Sequence, residues 1–130
     1  MNHIQSPRTC DTGIEQQIQA KGLTAPRVTP ADIEANIRSE VYFTAADGMR
    51  TQQAHIKSEY VEGEHILAPL DQLTFCVLVL RNGFTVTGES ACASPENFDA
   101  EIGRNIARQN AVQKIWPLMG YELRSKLAAS

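Results

Sequence analysis

The stretch from Leu73 to Ser90 constrains this chain most. It holds two runs rich in β-branched and aromatic residues, Leu73-Thr74-Phe75-Cys76-Val77-Leu78-Val79-Leu80 and Phe84-Thr85-Val86-Thr87, separated by Arg81-Asn82-Gly83. Two such runs flanking Asn-Gly predict a β-hairpin, with a two-residue type I′ turn whose positive φ angles Asn and Gly tolerate. The strands should span roughly 73 to 80 and 84 to 91. Phe75, Val77 and Val79 then point one way and Cys76, Leu78 and Leu80 the other. Both sets are apolar, which predicts a strand covered on both faces.

A long helix should follow. Ser94-Pro95-Glu96-Asn97-Phe98-Asp99 carries start signals, and Phe98, Ile102, Ile106, Val112, Ile115 and Trp116 give a buried stripe to about Trp116. Ala107 and Ala111 allow close approach to the sheet. Pro117 and Gly120 are expected to end the helix. Upstream, Thr29-Pro30-Ala31-Asp32 reads as N-cap, first-turn proline and first-turn acid, opening a helix that should stop near Glu40. Val41 to Thr44 reads as a strand, Ala45 to Gly48 as a turn, Gln52 to Ile56 as a return strand, and 57 to 71 as an acidic loop. Residues 1 to 28, with one short helix over Ile14 to Ala20, read as a flexible extension. The expected fold is α+β: a small antiparallel sheet with a central hairpin packed on a long C-terminal helix, plus a short N-terminal helix, in one domain over 29 to 130.

One helix shields one face of the central strand. The other must be met by the N-terminal helix or by a second copy, so a homo-oligomer is expected.

Charge is unevenly placed. Residues 29 to 72 hold eight carboxylates against Arg38, Arg50 and Lys57, whereas 102 to 130 hold five basic residues against Glu122. Opposed halves of this kind can meet within a subunit, between subunits, or across a bound anion. The net charge of −3 does not predict a general nucleic-acid binder. Cys10, Cys76 and Cys92 are too few and scattered for a disulfide framework. The polar N-terminus does not look like a signal peptide, and the run Phe75 to Leu80 is too short to span a bilayer. The expectation is a reduced, cytoplasmic protein.

Catalytic and metal signatures are weak. His3, His55 and His65 fall in expected loops, and no Cys-x-x-Cys occurs. Gly88-Glu89-Ser90-Ala91-Cys92 matches half of a nucleophile elbow, and no histidine follows Ser90 or Cys92 in the chain. No cofactor is implied and no enzyme activity is expected.

A site for an anion is the stronger reading. Asn97 and Asp99 lie at the helix mouth, where free N–H groups and the helix dipole favour negative charge. Plain capping explains these residues as well. Arg104 and Arg108, four apart, share a helix face that is either solvated or a wall for phosphates. Phe84, beside the hairpin turn, reads as a core or interface residue, or as a ring that stacks on a base if the hairpin reaches a neighbouring subunit.

The run 73 to 92, with Pro95-Glu96-Asn97-Phe98-Asp99, Glu101-Ile102-Gly103-Arg104, Ala107-Arg108, Asn110-Ala111, Lys114-Ile115-Trp116-Pro117-Leu118 and Gly120-Tyr121, resembles a widespread family of small phage and prophage proteins. Arg27-Val28-Thr29-Pro30 and Tyr42-Phe43-Thr44-Ala45-Ala46-Asp47-Gly48 belong to the same pattern, which covers residues 27 to 124. In size and in its order of sheet then long helix, the chain is also similar to the anti-Thoeris phage proteins. Those act as sponges that assemble as oligomers and sequester a cyclic ADP-ribose isomer or cyclic oligonucleotides. The resemblance implies a phage-encoded, non-enzymatic protein of the host cytoplasm that binds a small cyclic nucleotide. It implies Asn97 and Asp99 as contacts; Arg104, Arg108 and Phe84 rest on the physical argument. A protein-interaction module that inhibits a host enzyme, and a small DNA-associated phage protein, are the alternatives.

Overall fold

In a computed structural model, which describes residues 7–51 and 64–130, the chain forms a three-stranded antiparallel sheet backed by a long helix. The elements run α1 (Pro7–Ala20), α2 (Pro30–Asn36), β1 (Ile37–Thr44), α3 (Ala45–Met49), α4 (Glu64–Asp71), β2 (Leu73–Leu80), β3 (Thr85–Ala91), a 3-10 turn (Pro95–Asn97) and α5 (Ala100–Ala129). The sheet order is β1-β2-β3, so the predicted central hairpin strand is central. Val77 pairs with Val41 on one side and Thr87 on the other.

Several elements differ from the sequence reading for identifiable reasons. The hairpin turn is not type I′, because among the described residues only glycines have positive φ, and Gly83 has φ 89°. The Gly83 N–H donates to Leu80 O (2.9 Å) and Leu80 N–H to Phe84 O (2.8 Å), a three-residue loop with glycine at its left-handed position. The Asn82 side chain supports it by accepting from Phe84 N–H at 2.9 Å.

α2 stops at Asn36 rather than near Glu40, because Ile37 to Thr44 pair along the length of β2. Ladder pairing with an apolar strand outweighs the weak local helix preference of Ile37-Arg38-Ser39-Glu40. Residues 45 to 49 are a helical turn, not an open one. Thr44 and Asp47 cap it reciprocally, each backbone N–H bonded to the other's side chain, as Thr29 and Asp32 cap α2. Of the expected acidic loop, 64 to 71 form α4; the expected return strand at 52 to 56 lies outside the described residues. α1 is twice the length of the expected Ile14–Ala20 helix and packs against α2 and α5.

α5 runs through Pro117 and Gly120 to Ala129. Pro117 is exposed, as is Gln113, whose carbonyl loses its helical partner to the proline and can face water instead. The buried face of α5 is also rotated from the expected stripe. Gly103, Ala107, Ala111, Val112 and Ile115 face the sheet, whereas Ile102 is 57% exposed and Ile106 is exposed as well. The cause lies in β3. A Cβ built at Gly88 would overlap the Ala107 carbonyl oxygen and the Ala111 amide nitrogen, so helix backbone rests directly on strand backbone. Only small residues fit that contact, and they set the helix register.

The core is Ile33, Cys76, Leu78, Leu80, Val86, Ala107, Ala111, Val112 and Ile115. It occupies one side of the sheet. The alternate residues of β2 and β1 form the other side, where Val41 is 49% and Phe43 39% exposed, and Phe43 stacks on Phe75 with ring centroids 5.6 Å apart. Among the described residues, the expected double cover is therefore half supplied. α1 packs on α2 and α5, on the helix side.

Candidate functional site

The structure separates the predicted site residues into three places. Asp99 is the N-cap of α5, its Oδ1 accepting from Ile102 N–H at 3.0 Å. A carboxylate thus already sits on the helix mouth, where it satisfies a free N–H and complements the dipole. Asn97 closes the preceding 3-10 turn, with its backbone N–H donating to Ser94 O, and its side chain is exposed.

Arg104 and Arg108 do not form one wall. The Arg108 side chain is 19% exposed and clamped by two carboxylates: Nη1 and Nη2 donate to Glu34, at 3.3 and 2.7 Å, and Nε and Nη2 to Glu40, both at 3.1 Å. Four of its five N–H groups are engaged, and these bonds, to Glu34 first, hold its pKa above the usual arginine value. The opposed charges of the two halves meet here, within one subunit. Tyr42 continues the network, donating its hydroxyl to Glu40 at 2.7 Å; burial, then this bond, pushes its pKa upward.

Arg104 is exposed and has no hydrogen-bond or ion-pair partner among the described residues. It lines a small recess of about 110 Å³ at the β1 edge, with Tyr42, Phe43, Thr44, Asp47, Thr74, Phe98 and Ala100. β1 brings Tyr42 and Phe43 there because it pairs in register with β2, and Asp99 capping sets the start of α5 beside them. Asp47 is the acid of the recess. Its carboxylate is held by Thr44 N–H at 2.9 Å, which with the Thr44 hydroxyl keeps its pKa low. The recess thus combines a free guanidinium and the Asp47 carboxylate with two phenylalanine rings and the Thr74 hydroxyl, the Thr44 hydroxyl being taken up by Asp47. Its guanidinium and rings suit a phosphate beside a stacked ring, with the Asp47 charge opposing the anion. In the sequence Phe98 reads as part of the buried stripe and Phe43 as a strand residue, neither as part of a site; only the β1–β2 register puts Phe43 near Arg104.

Phe84, 54% exposed, sits at the hairpin tip, the opposite end of β2 from the start of α5. Eight strand residues span about 26 Å, so one chain does not bring Phe84 to Arg104.

A larger cleft of about 500 Å³ opens between α1, α2 and α5, lined by Asp11, Thr12, Pro30, Ala31, Ile33, Glu34, Asn105, Arg108, Gln109, Val112 and Trp116. Trp116 Nε1 donates to Asp11 Oδ2 at 3.0 Å and pins α1 to α5. Arg27 and Glu15 join the end of α1 to the approach to α2 through a bidentate pair (2.7 Å for Nη2). Among the described residues no group of His, Cys, Asp and Glu could hold a metal ion, and no helix is long and apolar enough to cross a membrane.

The described residues therefore form a small α+β fold in which one sheet face is open, one recess holds a free arginine and another an arginine already paired. The chain belongs to the phage protein (N4 Gp49/phage Sf6 gene 66) family, whose sequence model matches residues 28–127. No curated protein and no solved structure matches it.

Proposed function

We propose that this phage-family protein is a non-enzymatic binder that captures a cyclic nucleotide signal in the host cytoplasm, with Arg104 as the phosphate contact. The observation that carries this reading is the unpaired Arg104 guanidinium in a recess walled by Phe43 and Phe98. Asn97 is available beside the start of α5; Asp99 positions the helix rather than the ligand, and Arg108 fixes α5 to α2 and β1. Nanomolar capture needs about 12 kcal/mol. One guanidinium and one stacked ring supply only part of that, and the recess is too small to enclose a cyclic dinucleotide. The remaining contacts are assigned to a second copy, seated on the open sheet face around Val41, Phe43, Phe75, Val77 and Val79, where Phe84 of a neighbour could also reach the ligand.

The test is native mass spectrometry of the protein purified from cells with an active cyclic-nucleotide signalling system. An oligomer carrying a stoichiometric small molecule of nucleotide mass supports the reading. A ligand-free protein that captures a host protein instead favours an inhibitor of that protein, the reading that the open apolar sheet face would otherwise support.

A further inference from the structure

α1 rests on the fold through polar contacts rather than a packed face. From Asp11 to Ala20 none of its residues is buried; only Asp11, Glu15 and Ile18 are partly covered, and two of these three are acids. Each acid makes one clasp. Asp11 Oδ2 accepts from the Trp116 indole of α5 at 3.0 Å. Glu15, one turn later, takes the Arg27 guanidinium from the connection to α2 in a bidentate pair. Beside these clasps the space is unfilled. The cleft of about 500 Å³ has Asp11 and Thr12 on its α1 side, and Ile33, Val112 and Trp116 among the residues of α2 and α5 that line it. A helix held across such a gap forgoes much of the close-packed contact that ordinarily secures docking.

α1 is also a weak helix in itself. Its first turn carries no acid and its last turn no base, and Asp11, Thr12 and Gly13 are poor helix formers in succession. Fourteen residues of that composition do not persist as a helix in water without tertiary support. The core runs from Ile33 to Ile115, takes no described residue from α1, and lies wholly within the family-matched residues 28–127.

We propose that α1 is a releasable strap, which lets go of α2 and α5 as a unit while residues 28–127 stay folded. The hinge lies between Gly22, whose φ of 66° ends α1, and Arg27. Release breaks the two clasps and turns the cleft from a slot into an open face of α2 and α5. α1 thereby decides how much of Ile33, Val112 and Trp116 a partner can meet. The inference does not rest on Arg104 and stands if that recess binds nothing.

Native-state hydrogen exchange of the full chain, read residue by residue, tests it. The amides of residues 11 to 20 should be less protected than those at the centre of β2 by about a hundredfold or more, because release needs no global unfolding. Arg27→Ala removes one clasp and leaves the α1 sequence intact. It should lower protection about tenfold along all of 11 to 20, and leave β2 unchanged. Gly13→Ala places its methyl group in open space and favours the helix, so it should raise α1 protection about fivefold without raising that of β2. Protection of α1 equal to that of β2, or variants that shift α1 and β2 together, would make α1 part of one cooperative unit and overturn the proposal. No effect of Arg27→Ala, or one confined to the last turn of α1, would mean fraying instead of release as a unit and would overturn it as well.

Discussion

Gly88 on β3 lies directly beneath the carbonyl of Ala107 on α5, with no room between them for a methyl group. This contact sets the depth at which the helix rides on the sheet. It also fixes which α5 residues turn inward and, four residues apart, which recess each of Arg104 and Arg108 enters.

Gly88→Ala is expected to cost about 3 kcal/mol, at the upper end for overpacking, because both sides of the contact are backbone and cannot rotate away. Urea denaturation checks this. A loss below about 1 kcal/mol would mean that α5 can lift from the sheet at little cost.

Arg108→Ala leaves Glu34 and Glu40 facing each other without their shared cation. The clamp is partly solvated, so the expected destabilisation is about 1 to 2 kcal/mol, short of the cost of a fully buried pair. A double-mutant cycle with Glu34→Gln should give a favourable coupling of order 1 kcal/mol. Zero coupling would show a surface pair that contributes nothing.

Alkaline pH should destabilise the fold through Cys76 and Tyr42. The folded-state pKa values of Cys76 and Tyr42 are both raised, chiefly by burial, above ordinary values of about 8.5 and 10. For groups shifted this way the folded state retains protons that the unfolded chain releases. Their stabilisation is complete below about pH 8.5 and declines as pH rises past each unfolded value. The urea midpoint should therefore fall from about pH 8.5 upward and more steeply beyond about pH 10. Tyr42→Phe should flatten the second phase; an unchanged slope would remove Tyr42 from the cause.

The open sheet face gives a prediction about assembly. Three strands about 4.8 Å apart and about 26 Å long present roughly 400 Å² per copy, about half the standard area per partner. A dimer held by this face alone should be concentration-dependent. Val41→Glu, at a half-exposed position, should leave the monomer folded and shift the association to higher concentration by light scattering. A wild-type chain that stays monomeric at high concentration would show that no second copy covers the face.

The parts of this architecture legible in the sequence are those carried by local chemistry. The Thr29-Pro30-Ala31-Asp32 start, the two alternating strands and the alanine pair of α5 all behave as their residue types dictate. The same capping pattern in Thr44-Ala45-Ala46-Asp47 was available and marks α3. What could not be read depended on distant partners. Ile37 joins a strand because Leu80 is opposite it, and Ile102 is exposed because Gly88 selects Ala107 instead. Arg104 and Arg108 look equivalent along the helix. Only the placement of Glu34 and Glu40, seventy or so residues earlier, makes one a clamp and leaves the other free.

Isothermal titration of the wild-type protein and Arg104→Ala with a cyclic ADP-ribose isomer and with cyclic dinucleotides tests the central claim most directly. The account predicts tight, saturable binding of one of these by the wild type. It also predicts at least a tenfold loss in Arg104→Ala, with the melting temperature of the ligand-free protein unchanged. Equal affinity in the two proteins, or binding of none of these ligands by the wild type, would contradict it.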